Sequence, residues 1–312
     1  MAKSSGLNTR RALARATAAA LTAALVATGA SSAVAADGPG ATASRSHLDV
    51  KPSGAEKYGA SAIPGDAPIN PLFGVDGAGD LWSYDPDFEG GLDARWDAGF
   101  GWQTARAMTQ VDQNADGYSD GLWHVTSGGQ LYYGEWGTSS DEHVFVGNGW
   151  KIYNQLFSGA NLGGAGADDL LARDSSGYLY LYLGYGNGKL TQRYKVGGGW
   201  NAYTHITGKG DLTGDGKADI VAKDKSGVLW LYKGTGNYKA PFTSRTRVGG
   251  GWNTYNNIVS VGDIDIDGIT DLVARDKNGA LYLYKGTGNA ASPFKSRVKI
   301  GSGGWNTYRL MF

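Results

Sequence analysis

A Gly-Trp pair recurs along this chain at Trp102, Trp150, Trp200, Trp252 and Trp305, with separations of 48, 50, 52 and 53 residues. A period near fifty constrains the architecture before any one segment is read. Each unit is a supersecondary element that buries its apolar face only against its neighbours.

Within the units, residues Leu170 to Tyr182, Ile220 to Tyr232 and Leu272 to Tyr284 align without gaps. Each reads as two short strands flanking an Asp-x-x-Gly turn, and the second alternates leucine with an aromatic, as in Leu229-Trp230-Leu231-Tyr232. A basic-apolar strand then leads into the Gly-Trp pair, as in Arg247 to Trp252. Roughly four strands per unit of about fifty residues is the arithmetic of a propeller blade. The 51 Gly, 18 Tyr and 10 Trp fit tight turns between aromatic-rich strands and argue against a helical protein. Leu72 to Tyr84 begins in mid-unit, and Arg309-Leu310-Met311-Phe312 is the strand that opens a unit elsewhere. The expected fold is therefore all-β: a five-bladed β-propeller over 72–312, closed by the C-terminal strand completing the first blade, which removes exposed sheet edges.

The N-terminal region reads differently. Lys3, Arg10, Arg11 and Arg15 precede an alanine-rich apolar stretch, and Ala33-Val34-Ala35 has the small-x-small form of a cleavage site. Residues 1–35 are expected to be a signal peptide, directing export by the Sec or twin-arginine route to a secreted, extracellular location. Residues 36–71, rich in Ala, Gly, Ser and Pro, read as a flexible linker. The apolar stretch is too short for a spanning helix, so no membrane insertion is expected. Removing the leader leaves 25 basic against 29 acidic residues. Such a balance does not supply the phosphate contacts that drive nucleic-acid binding, nor attraction to anionic membranes. An exported chain without cysteine must be stabilised by something other than disulfides, and bound metal is one candidate.

Asp263, Asp265, Asp267 and Asp271 stand at positions one, three, five and nine of a loop that carries Gly268, with the Ile269 carbonyl at position seven. Calcium takes six to eight oxygens, and alternate residues of a tight loop can turn several carboxylates inward. The pattern recurs in Asp211, Thr213, Asp215, Lys217 and Asp219, and in Asp112, Asn114, Asp116, Tyr118 and Asp120. About three structural calcium ions are expected, the seventh residue of each loop giving a main-chain oxygen. In Asn161 to Asp169 positions three and five lack a side-chain oxygen, so no ion is expected there. The alternative is a set of ion-free Asx turns.

These loops resemble the FG-GAP or VCBS type of repeat, whose mark is a D-x-D-x-D-G-x-x-D-L loop running into a strand, as in Asp263 to Leu272. The resemblance covers about residues 72 to 312. It implies a calcium-stabilised propeller like those of integrin ectodomains and many secreted bacterial proteins, which often have seven blades where this chain has five. A ring of five Gly-Trp units is also similar to the tachylectin-2 type of lectin propeller, which binds N-acetylated amino sugars at several equivalent sites.

Catalysis finds little support in the sequence. A glycoside hydrolase needs two carboxylates facing each other across the scissile bond. Yet Asp76, Asp174, Asp224 and Asp276 recur at one turn position, and the non-repeating Glu135, Asp141 and Glu142 have no evident partner. His47, His124, His143 and His205 lie in unrelated contexts, without an HExxH pattern. The expectation is a non-catalytic recognition module, lectin-like, with Trp102, Trp150, Trp200, Trp252 and Trp305 as stacking surfaces. Asn201, Asn253 and Asn306 with Tyr203, Tyr255 and Tyr308 would be the hydrogen-bonding neighbours. The competing reading of the tryptophans is packing between blades. The expected partners are glycans or a secreted or cell-surface protein. In the second case the chain would be an adaptor or targeting subunit of a secreted multi-protein complex, a toxin particle or an exoenzyme assembly.

Overall fold

A computed structural model describes residues 47–48 and 67–312. They form five small antiparallel sheets arranged as a ring, with single 3-10 turns as the only helical elements among the described residues. Blade 2 runs Ala107–Val111, Gly121–Val125, Leu131–Glu135 and Val144–Gly147. Blade 3 runs Tyr153–Ser158, Leu170–Asp174, Leu179–Tyr182 and Tyr194–Gly197. Blade 4 runs Tyr203–Thr207, Ile220–Asp224, Leu229–Tyr232 and Thr246–Gly249. Blade 5 runs Tyr255–Gly262, Asp271–Asp276, Leu281–Tyr284 and Val298–Gly301.

Blade 1 takes strands from both ends of the chain. Its order is His47–Leu48, Trp96–Phe100, Leu81–Tyr84, Leu72–Val75 and Leu310–Met311. The expected closure holds: Gly74 faces Met311 and Val75 faces Leu310, with Phe73 and Phe312 exchanging amide bonds of 2.8 and 3.2 Å. Residues 67–71, inside the stretch read as linker, are also anchored. Ile69 N–H donates to Gly117 O, Asp263 N–H to Pro68 O and Gln110 Nε2 to Pro71 O, each at 2.8 Å, so this segment ties blade 2 to blade 5. The other linker residues, apart from His47–Leu48, and the expected signal peptide lie outside the described residues.

The core is divided into five apolar clusters, one at each seam between blades, and every cluster contains one of the five Gly-Trp tryptophans. The local sequence explains the placement. A glycine at φ between 85° and 88° precedes each tryptophan, a backbone region that strains any residue with a Cβ. The Trp amide then donates at 2.9 to 3.2 Å to the hairpin-glycine carbonyl of the preceding blade, Gly177 O for Trp200 and Gly227 O for Trp252. Cationic side chains reinforce four seams. Arg173 reaches the carbonyls of Trp200 and Tyr203, Lys223 that of Tyr255, Arg275 those of Trp305 and Tyr308, and Arg309 those of Trp102 and Ala105. At the seam of blades 2 and 3 the matching strand position is Val125.

Candidate functional site

At the edge of the core, one arrangement repeats at four seams, built on the buried Tyr153, Tyr203, Tyr255 and Tyr308. Tyr153 and Tyr182 share a hydroxyl hydrogen bond of 2.5 Å, and Tyr203–Tyr232, Tyr255–Tyr284 and Tyr308–Tyr84 do so at 2.6 Å. The first tyrosine opens the inner strand, or in the case of Tyr308 stands two residues before it, and the second closes the third, so both reach the same groove. An arginine from just before the outer strand donates to the first hydroxyl: Arg193 to Tyr153, Arg245 to Tyr203, Arg297 to Tyr255 and Arg95 to Tyr308. Burial, then the hydroxyl partner, pushes Tyr84, Tyr182, Tyr232 and Tyr284 well above the usual tyrosine value, so they stay neutral. Hydrogen bonds to tyrosine raise the four arginines further, and these stay charged and exposed.

The tryptophans form the floor. Trp150, Trp200, Trp252 and Trp305 are 6 to 8% exposed, each with its ring 4.3 to 4.8 Å from the second tyrosine. Their faces are covered by protein. Asn201, Asn253 and Asn306 lie on the surface, each donating its amide to a hairpin carbonyl of the preceding blade, Ser175, Lys225 and Lys277. A groove of about 520 Å³ runs between the glycine-rich end of blade 3 (Gly197–Gly199) and blade 4, lined by Trp200, Tyr203, Tyr232, Phe242, Lys239 and Arg245. Sequence reasoning missed the second tyrosines and the arginines. The available signal was an arginine two residues before the same outer-strand position in four of the five units, Arg95, Arg193, Arg245 and Arg297.

The turn aspartates support this layer. Asp224 accepts the Ser226 and Val228 amides and the Trp230 indole N–H; Asp76 does the same for Ala78, Asp80 and Trp82. Asp174 and Asp276 each accept a tyrosine hydroxyl, Tyr180 and Tyr282. Glu142 caps the 3-10 turn Ser140–Glu142 by accepting Ser139 N–H and O–H.

A second concavity, about 140 Å³, lies among the inner strands. Lys209 is buried beside it, ion-paired with Asp168 and donating to Gln110 O at 3.1 Å and Ser158 Oγ at 3.4 Å. Asp168 also accepts Asp112 N–H and Ser158 O–H, so this pair joins blades 2, 3 and 4.

The loops between first and second strands share one frame. Position nine is a clamp: Asp169, Asp219 and Asp271 accept the amide of loop position two and that of Gly184, Gly234 or Gly286 after the third strand. Asp120 accepts Gln113 N–H in blade 2. Position one caps amides within the loop. Asp112 takes those of Asn114, Ala115 and Gly117; Asp211 those of Thr213, Gly214 and Gly216; Asp263 those of Asp267 and Gly268. Tyr118 is buried, Lys217 exposed and Ile269 half-buried at position seven.

Blade 5 alone, among the described residues, brings three carboxylates together: oxygens of Asp263, Asp265 and Asp267 lie within 4.8 Å of one another. Asp265 Oδ2 meets Lys285 Nζ at 2.8 Å, while its buried Oδ1 has no hydrogen-bond partner. An orphaned carboxylate oxygen facing two further carboxylates is the donor set of a hard cation. Burial, with the Asp267 and Asp265 charges adding to it, pushes Asp263 up to about 6 against the downward pull of its amide bonds. Asp271 is raised to about 7, chiefly by burial. Lysines follow the acids: Lys233 pairs with Asp215 at 3.0 Å and Lys285 with Asp265, whereas Leu183 holds that place in blade 3, whose loop lacks them.

The FG-GAP-like repeat family matches residues 162–222 and 211–274. Residues 162–274 are thus similar to FG-GAP-like repeats. No curated protein matches this sequence. Among solved structures, the chain is similar to the BP39L lectin of Burkholderia pseudomallei, at 14% identity and a TM-score of 0.46, covering 78% of this chain and 72% of that one. It is also similar to a mutant of AofleA from Arthrobotrys oligospora, at 10% identity and a TM-score of 0.44, covering 78% and 76%.

Proposed function

We propose that this FG-GAP-repeat propeller is an exported, non-catalytic, lectin-like binder whose glycan sites are the four inter-blade grooves. One observation carries the reading: the same tyrosine pair and exposed arginine, over a buried tryptophan, recur at four of the five seams. Aromatic edges, neutral hydroxyls and a fixed guanidinium suit a polar ligand with apolar C–H faces. Equivalent weak sites on one rigid ring gain avidity on a polymer. The turn carboxylates are committed to amides and ring donors, which supports binding over acid-base catalysis. A glycan array probed with the full chain tests the proposal: binding to a glycan class, lost when Arg95, Arg193, Arg245 and Arg297 are all replaced by Gln, is expected. Binding to no glycan contradicts it.

The blade 5 loop would hold a structural calcium ion through Asp263, Asp265 and Asp267, with 112–120 and 211–219 as weaker sites of the same design. Calcium there would offset the repulsion among the carboxylates. Chelation is expected to lower the melting temperature, and Asp265→Asn to remove most of that shift; a melt indifferent to both ion and chelator contradicts the assignment. Because the Asp263 value lies near 6, calcium affinity should fall as the pH drops below about 6, by up to tenfold per unit for one competing proton.

A further inference from the structure

We infer that the grooves take an acidic glycan, a polysaccharide bearing carboxylate or sulfate groups; this rests on the glycan reading and names its ligand class. Each groove arginine is held twice. Its guanidinium lies 4.0 to 4.5 Å over an aromatic ring of the third strand, Trp82, Tyr180, Trp230 or Tyr282, and one nitrogen donates to a tyrosine hydroxyl. The polar end of each of those rings is in turn held by a turn aspartate. That places an acid behind the ring, close enough for Arg245 to contribute to lowering Asp224, yet no carboxylate among the described residues forms an ion pair with any of the four arginines. A guanidinium has five N–H donors in a rigid fork that matches a carboxylate or sulfate. Most of that fork stays exposed here, already oriented.

The outer strands extend the charge. Two residues beyond the groove arginine stand Lys195, Arg247 and Lys299, all exposed and on the same strand face. Blades 3, 4 and 5 therefore carry a basic pair each, while the corresponding residues are Asp97 in blade 1 and Phe145 in blade 2. This basic rim belongs to a chain whose acidic and basic residues balance overall. The rim is therefore a local concentration of charge, offset by the acids of the loops. A neutral sugar would leave the row of cations unanswered; a polymer with regularly spaced anions answers it at several blades together.

The test measures binding of the full chain to polygalacturonate, its methyl-esterified neutral form, dextran sulfate, dextran and a DNA duplex, at low and at physiological ionic strength. Preference for both acidic polysaccharides over their neutral backbones is expected, weakening as salt rises. Arg245→Gln alone should cost about tenfold for polygalacturonate, the loss of one charged hydrogen-bonding partner. The outer-row variant Lys195→Gln, Arg247→Gln and Lys299→Gln leaves the tyrosine clusters untouched and should also weaken acidic binding while keeping the melting temperature. Equal binding to neutral and acidic forms overturns the acidic-glycan inference and leaves the lectin reading standing. Binding to none of these four polysaccharides overturns the acidic-glycan inference, and the glycan array decides the lectin reading separately. DNA bound as tightly as the acidic sugars, with the same response to Arg245→Gln, overturns the inference in favour of a nucleic-acid partner.

Discussion

The seam of blades 3 and 4 and the seam of blades 1 and 2 bury the same tryptophan and surround it differently. Around Trp200 stand Tyr203, Tyr232 and Arg245. Around Trp102 the equivalent strand positions are Ala105, Gly134 and His143, and the space is taken by His124, whose Nε2 lies 3.0 Å from His143 Nδ1. The exchange is steric. A Cβ at Gly74 would meet the Tyr308 ring at 2.6 Å, so the residue behind the first tyrosine has to be small, and the matching residues are Ala172, Ala222 and Ala274. Where Ala105 replaces that tyrosine, an imidazole fits in its place. Ring closure therefore requires the tryptophan and its glycine, and does not require the Tyr–Tyr–Arg layer. Four seams keep that layer, with its tyrosines buried or half-buried and its arginine exposed.

The largest effect should be shared by the two seams. Trp200→Ala and Trp102→Ala should each cost about 3–5 kcal/mol in denaturant unfolding, since each opens a void in an inter-blade core. A small cost at one and a large cost at the other would break the comparison. Next is the response to acid, which should differ. Burial, then the neighbouring His143, pushes His124 down to about 3, against an ordinary histidine value of 6.5. Between those values the unfolded chain binds a proton that the folded chain does not, so stability falls as the pH drops below about 6.5, by up to about 1.4 kcal/mol per unit. His124→Ala should remove one proton's share of that slope and leave the share of His205, which burial pushes down to about 4. The smallest effect is at the groove surface: Arg245→Gln should change stability by less than about 1 kcal/mol while lowering ligand affinity. A large destabilisation would make this arginine a structural staple like Arg173.

Backbone strain separates the loops too. Position four is left-handed in each: Ala115 at φ 60°, Gly164 at 83°, Gly214 at 76° and Ile266 at 57°. A β-branched residue there is costly, so Ile266→Gly should stabilise the metal-free protein by about 1 kcal/mol.

The ring itself was legible because its signals are local and repeated: the Gly-Trp pair, the Asp-x-x-Gly hairpin, and a C-terminal Arg309 to Phe312 that matches an inner strand. The groove was half legible. Trp200 and Tyr203 stand beside the repeat signature, but Tyr232 meets Tyr203 across 29 residues of chain and reads in isolation as one more strand aromatic. Strand alternation does not tell which aromatic faces a neighbouring blade and which faces solvent. The docking of residues 67–71 was hidden for another reason. It rests on main-chain bonds at Pro68, Ile69 and Pro71, which leave no mark in side-chain composition. The position-nine aspartates carry two meanings in sequence, metal ligand and amide clamp. Asp169 holds its amides in a loop without the other acids, so the clamp role stands alone there.

The count of ligand sites tests the account most directly. Calorimetric titration of the full chain with a short acidic oligosaccharide should saturate at four sites, the three beside Lys195, Arg247 and Lys299 tighter than the one beside Asp97, and Arg245→Gln should reduce the count or affinity at one of them alone. Five equal sites, or a titration that Arg245→Gln leaves unchanged, would contradict the assignment of binding to the Tyr–Tyr–Arg grooves.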